Sequence, residues 1–150
     1  VSVDVLSEIE IDSPCAVVSA FAADPNNATL WYDNIKSIEW KTAPEVKVGA
    51  QMDFVAVFLG KRLAYTYEII EWVPQSRLVM RTADGPFPME TTYTWEARGD
   101  QTRMTLRNRG IPTGFAKIGA PMMAAAMRRA NRKDLLKIKD YLEGLASDLA

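Results

Sequence analysis

Residues 51–108, QMDFVAVFLGKRLAYTYEIIEWVPQSRLVMRTADGPFPMETTYTWEARGDQTRMTLRN, decide the fold. They hold β-branched and aromatic residues in period-two runs, broken at Gly60, Pro74, Gly85-Pro86 and Gly99-Asp100, and read as consecutive antiparallel strands. Turn chemistry sets a register for each hairpin. A two-residue turn at Gly60-Lys61 places Phe58 opposite Leu63, Ala56 opposite Tyr65, Phe54 opposite Tyr67 and Met52 opposite Ile69. A turn at Gly99-Asp100 sets Trp95 opposite Met104, Tyr93 opposite Leu106 and Thr91 opposite Asn108, and a loop from Val73 to Ser76 sets Ile69 opposite Met80 and Tyr67 opposite Thr82. Opposed residues share a face, so one side of the sheet becomes bulky and aromatic. The other side receives the charge pairs Glu96–Arg103, Glu90–Arg109 and Glu68–Arg81, with Asp53 opposite Glu68 the one unfavourable pair.

On the amino-terminal side, Val3, Val5, Ile9 and Ile11 share a period of two and predict a further strand. Ser13-Pro14 reads as an N-cap followed by proline at the first helical position, opening a short helix in CAVVSAFAA. Asp24-Pro25 repeats the device for a second short helix through Leu30-Trp31-Tyr32, and IKSIEW (35–40) is a strand. After Gly114 the pattern turns helical for about 34 residues, ~50 Å at 1.5 Å per residue. Leu135, Ile138, Leu142, Leu145 and Leu149 form its apolar stripe, preceded by Phe115, Ile118, Met122, Met123, Ala126 and Met127. The order is one strand, two short helices, six strands and one long helix. It predicts an α+β chain, a single domain over residues 1–150, with a seven-stranded antiparallel sheet covered by the terminal helix.

The composition narrows the chemistry. The 150 residues are 48% hydrophobic and 25% charged, with formal net charge −1 and no histidine. Serine and cysteine nucleophiles served by histidine, histidine general bases and histidine metal sites are therefore excluded. One cysteine, Cys15, excludes an intramolecular disulfide and suits a reducing compartment; beside Ala16 and Val17 it reads as a small buried hydrophobe more readily than as an activated thiol. Phosphate-loop and dinucleotide glycine fingerprints are absent, no acidic loop offers oxygen ligands to a metal, and no cofactor is called for. Asp53, Glu68 and Glu90 point outward in this register and Glu71 ends a strand, so none is placed as a general acid. No apolar stretch reaches bilayer length and the amino end carries no signal-peptide pattern, so the expected location is the cytoplasm without stable membrane insertion.

The inward face mixes Tyr65, Tyr67, Thr82, Thr91, Tyr93 and Asn108 with apolar side chains and no charge. Such a wall either closes a filled core or lines a pocket that orients a mainly hydrophobic ligand. Trp31-Tyr32 and the loop Gly85-Pro86-Phe87-Pro88 stand either as gates at a cavity mouth or as structural closures.

The order of elements, WYDNIKSIEW after the short helices, the proline turn in IIEWVPQSRLVMRT, the GDQTRMTLRNRG hairpin and the long final helix together resemble the START-like, polyketide cyclase/dehydrase superfamily over essentially the whole chain. The resemblance implies a helix-grip fold: a curved seven-stranded sheet gripping the terminal helix around a ligand cavity. Members bind lipids, sterols, polyketides, plant hormones or quinones, and some catalyse cyclisation or dehydration; no catalytic motif is shared by all. The expected partner is a small hydrophobic molecule held by Trp31, Phe54, Phe58, Tyr65, Tyr67, Met80, Thr91, Tyr93, Trp95, Asn108, Phe115, Ile118, Met122 and Met123. Binding is favoured over catalysis. The alternative is a cyclase- or dehydratase-like enzyme in which Tyr65, Tyr67, Tyr93 or Asn108 hydrogen-bonds an enolate.

Two surface features remain. Residues 1–100 sum to −7 and residues 101–150 to +6, with Arg128, Arg129, Arg132, Lys133, Lys137 and Lys139 clustered on the last helix. That stripe reads as a solvated face or as a surface for an acidic partner; lacking interleaved aromatics, it does not suit nucleic acid. On the outer sheet face Val55, Val57, Ile70 and Val79 form an apolar patch, which points to a weak homodimer.

Overall fold

Nine residues of alternating burial make β1 (Val3–Ile11), and the chain then turns through Ser13 into α1 (Cys15–Ala23). This computed structural model describes residues 2–113 and 118–149. A single 3₁₀ turn (Pro25–Asn27) and α2 (Ala28–Trp31) lead to β2 (Ile35–Trp40), β3 (Gln51–Phe58), β4 (Lys61–Val73), β5 (Arg77–Asp84), β6 (Met89–Arg98) and β7 (Gln101–Gly110). The long helix α3 (Ala120–Leu149) follows. All seven strands form one antiparallel sheet in the order β1-β7-β6-β5-β4-β3-β2. The sheet curls into a half-barrel around α3, with the short helices between β1 and β2, which is the helix-grip fold.

The caps differ in one respect from expectation. Asp24 accepts the Asn26 N–H (3.0 Å) and so caps the 3₁₀ turn. Ser13 caps nothing: α1 opens at Cys15, and the buried Ser13 spends its carbonyl on the Thr102 hydroxyl (2.7 Å), tying this corner to β7.

Registers follow the turns actually made. The β6–β7 hairpin pairs Trp95 with Met104, Tyr93 with Leu106 and Thr91 with Asn108, as its turn chemistry predicts. In the β3–β4 hairpin the turn is Leu59-Gly60, not Gly60-Lys61, because both residues sit at positive φ (51° and 77°) as a primed two-residue turn requires. Phe54 therefore opposes Tyr65 and Met52 opposes Tyr67, two positions from the expected register. A shift of two preserves the side each residue faces. It also removes the Asp53–Glu68 conflict: Thr66 donates to Asp53 (2.5 Å) and Gln51 to Glu68 (2.8 Å).

Between β4 and β5 the loop is Pro74-Gln75-Ser76, with Gln75 at φ 63°, and a bulge at Ile70 absorbs the extra residue. Ile70 consequently does not oppose Val79, which pairs with Glu71 and is buried. The outer apolar patch thus reduces to Val55, Val57 and Ile70. Of the outer charge pairs, Arg109–Glu90 forms (3.0 Å), whereas Arg103 turns to Glu8 on β1 rather than to Glu96. Arg107 likewise takes Asp4 of β1 (2.6 Å).

Two apolar clusters fill the grip. The larger gathers Ile11, Val18, Trp31, Met52, Ile69, Leu78, Met104 and Leu106 with Leu135, Ile138 and Leu142 of α3. The smaller holds Val3, Val5, Leu63, Phe87 and Met123. Leu145, expected in the stripe, is exposed.

Candidate functional site

Where the two clusters meet, packing is incomplete. A cavity of about 100 Å³ lies there, walled by the inner faces of β3 to β7, the segment from Ala22 to Ile35, the Phe87 loop and the first half of α3. Trp31, Phe54, Phe58, Tyr65, Tyr67, Met80, Thr91, Tyr93, Asn108 and Met123 all line it. Three of the other expected residues do not. Trp95 is buried, but two residues beyond Tyr93 on β6 it lies ~7 Å further along the strand. There it packs edge-on against Trp72 (6.4 Å between centroids) in the larger cluster. Met122 is 69% exposed: the inward face of α3 runs through Met123, Met127, Ala130, Asn131 and Asp134, and Met122 is turned ~100° away from it. Ile118 packs on the smaller cluster without reaching the cavity. Phe115 lies outside the described residues.

A chain of hydrogen bonds crosses the wall. Thr91 donates to Asn108 Oδ1 (2.6 Å), so Tyr67 must donate to Thr91 (2.8 Å); Asn108 Nδ2 then donates to Asn131 Oδ1 on α3 (2.9 Å). Every donor points toward α3, and the chain ends on the Asn131 amide, whose own N–H groups have no partner among the described residues. Tyr32 and Tyr93 share a second bond between hydroxyls (2.5 Å). Trp31 packs against both rings, at centroid distances of 4.3 and 5.5 Å. Thr82, expected among the cavity hydroxyls, instead closes the loop to β6 through the Met89 backbone N–H and carbonyl (3.0 and 3.1 Å).

Two carboxyl groups belong to this wall, Asp24 before the 3₁₀ turn and Asp134 on α3. Asp134 is 2% exposed and its Oδ1 accepts the Asp33 backbone N–H (3.0 Å). Burial pushes its carboxyl up to about 7, helped by the Asp33 charge and opposed by that hydrogen bond and by Lys137 and Lys133. Burial likewise holds the hydroxyls of Tyr32, Tyr65, Tyr67 and Tyr93 well above the ordinary phenol range. No lysine or arginine stands among the described residues of the wall. Such a site presents neutral hydroxyls, amide hydrogens and two carboxyls, of which Asp134 is held near half-ionisation at neutral pH, to a mostly apolar space.

Asn131 and Asp134 were missed in the sequence, although they fall at i+8 and i+11 from Met123 on an otherwise apolar stripe. The basic residues Arg129, Lys133 and Lys137 are exposed, and Lys133 and Lys137 flank Asp134 closely enough to act on its carboxyl. Of these Lys133 is paired with Asp33 (3.0 Å). Cys15 is buried, donates weakly to the Gln75 carbonyl (3.4 Å), and burial raises its thiol pKa, all of which suit packing. Phe87 closes one end of the cavity as a wall residue. Among the described residues no helix is long and apolar enough to cross a membrane.

Solved structures share this architecture. The protein TTHA0849 from Thermus thermophilus superposes with a TM-score of 0.80 at 20% identity, covering 95% of this chain and 98% of that one. A START superfamily protein from Mycobacterium smegmatis gives 0.81 at 13% identity, with 95% and 98% covered. The Zhui aromatase/cyclase from Streptomyces sp. R1128 gives 0.76 at 15% identity, with 95% and 94% covered. At these identities the likeness shows the fold. No curated protein gives a match. The sequence profile described as polyketide cyclase / dehydrase and lipid transport matches residues 2–143, and the chain belongs to that family.

Proposed function

We propose that the cavity between the sheet and α3 holds a small, mainly apolar molecule, and that binding is the chain's task. The observation that carries this is the break between the two apolar clusters, where buried hydroxyl and amide groups face an apolar space. Its volume lies below the ~300–1,000 Å³ of drug-sized pockets and nearer the ~150 Å³ that admits benzene. Met80, Met89, Met123 and Met127 line it, and flexible thioethers let such a wall widen around a larger guest. A lipid, polyketide or quinone would enter by that route. Native mass spectrometry of freshly purified protein tests the proposal, together with titration of a fluorescent apolar probe into wild type, Tyr67→Ala and Met123→Ala. A co-purifying small molecule and probe binding weakened in both variants are expected. Absence of binding by any apolar probe would overturn the proposal.

Asp134 favours a second reading, a cyclase- or dehydratase-type enzyme. A carboxyl near half-ionisation at neutral pH, close to the Tyr32 and Tyr93 hydroxyls, has the properties of a general acid for loss of water from a β-hydroxy ketone. Turnover of a polyketide-like substrate that Asp134→Asn abolishes, with ligand binding intact, would establish it. The single buried thiol suits a cytoplasmic location. A homodimer through the outer sheet face rests on Val55, Val57 and Ile70.

A further inference from the structure

We infer that the cavity selects a neutral ligand bearing a carbonyl oxygen, which Asn131 on α3 receives through its side-chain N–H, and that it discriminates against carboxylates. The inference rests on the binding reading above and specifies its chemistry. Asn131 is 3% exposed and Trp31 1%, yet Asn131 Nδ2 and Trp31 Nε1 have no hydrogen-bond partner among the described residues. Leaving a buried N–H unmatched is unfavourable, and both residues belong to the cavity wall. The direction of the Tyr67–Thr91–Asn108–Asn131 chain fixes what Asn131 offers. Its oxygen is already occupied by Asn108, so only hydrogens remain. Successive bonds aligned in one direction polarise one another and make the terminal donor stronger. An acceptor oxygen is what completes it, and a carbonyl has two lone pairs without a hydrogen that would itself need a partner.

Charge decides between a neutral carbonyl and a carboxylate. The described wall carries Asp24 and Asp134 and no cation; Lys133 and Lys137 act on Asp134 without lining the cavity, and Lys133 is engaged by Asp33. An anionic ligand would be desolvated beside a carboxyl with nothing to balance it. Asn34 Oδ1, the other unpartnered polar atom of the wall, is an acceptor and adds no positive charge.

Single-ring probes need only modest widening of the methionine-lined cavity and separate these terms. Acetophenone and cumene have the same number of heavy atoms, cumene carrying a methyl group where acetophenone carries its carbonyl oxygen; benzoate keeps that oxygen and adds a charge. Dissociation constants are measured by ligand-observed NMR at pH 8 for wild type, Asn131→Asp and Asn131→Leu. Asn131→Asp keeps an acceptor for Asn108 while removing the donor, and Asn131→Leu removes both without adding charge. Loss of one hydrogen bond corresponds to roughly a 2- to 10-fold change in affinity. Acetophenone should weaken by that factor in both variants while cumene binding is unchanged or tighter, and cumene binding also reports that each variant is folded. Benzoate should bind wild type at least about tenfold more weakly than acetophenone. Equal effects of the substitutions on acetophenone and cumene would overturn the inference while leaving the cavity reading in place. Benzoate binding as tight as acetophenone would overturn the selection against carboxylates. Binding of none of the three would overturn both readings.

Discussion

Replacing Asp134 by asparagine separates burial of a carboxyl from everything else at that position. The substitution is nearly isosteric, and its amide oxygen can still accept the Asp33 N–H that Asp134 now accepts at 3.0 Å. What disappears is ionisation. The folded carboxyl titrates at about 7 against an ordinary value of 3.8. The folded state therefore binds the proton more tightly than the unfolded chain. Stability is fully present below pH ~4 and is lost as pH rises toward 7, the reverse of the usual salt-bridged carboxylate. At 1.36 kcal/mol per unit the full shift amounts to about 4 kcal/mol, of which ~1.7 is already lost at pH 5. Between pH 5 and pH 9 the asparagine variant should therefore gain about 3 kcal/mol relative to wild type. Urea unfolding followed by tryptophan fluorescence at both pH values gives the difference of differences directly. Parallel pH–stability curves for the two proteins would refute the reasoning, because they would mean that Asp134 ionises in the folded chain as it does in water.

Other outcomes follow from the same geometry. Spectrophotometric alkaline titration should find Tyr32, Tyr65, Tyr67 and Tyr93 un-ionised until the chain unfolds, since burial holds all of them up; ionisation before unfolding would mean that water reaches the cavity wall freely. Gly110→Ala should destabilise the fold by about 1–3 kcal/mol in urea, because a Cβ there would stand 2.5 Å from the Pro88 carbonyl oxygen, which is backbone and cannot rotate away. An unchanged midpoint would show that the junction of β6 and β7 yields easily. Sedimentation from micromolar to hundred-micromolar protein should reveal a weak dimer abolished by Val57→Lys; a monomer throughout would remove the outer face as an interface.

The order of elements along the chain and the facing of nearly every sheet residue were legible in the sequence, because side-chain alternation survives a register error of two. The hairpin at Leu59-Gly60 shows why the register itself was not: a leucine in a left-handed conformation is not what turn preferences select. The Ile70 bulge leaves no trace in an apolar run that reads equally well without it. Sheet-borne site residues were found because alternation assigns them to one side. Of the helix-borne ones Trp31 and Met123 were found, but the reading took Met122 and Met123 alike, and choosing between them as the inward residue turns α3 by one position. That single choice hides Asn131 and Asp134 behind the conspicuous basic stripe. The unpartnered donors could not be read at all, as they depend on which way an amide points across 23 residues of chain.

The pairing of β1 with β7 has a kinetic consequence. Every other neighbouring pair in the sheet joins consecutive strands, so β2 to β7 can form by successive local hairpins. The partners of β1 are about a hundred positions away, Val3 with Gly110 and Ile11 with Thr102. Closing that loop carries the largest chain-entropy penalty in the sheet, and its contacts repay it only once β7 is already in place. During synthesis the first strand emerges with no template and waits for nearly the whole meander to follow it. Until then the outer edge of β7 is open, and Arg103 and Arg107 lie there without the Glu8 and Asp4 carboxylates that later engage them. These opposite charges on the two late-meeting edges attract over several ångströms before any backbone bond forms, and they oppose pairing of β7 with the β7 edge of another nascent chain, which presents the same arginines.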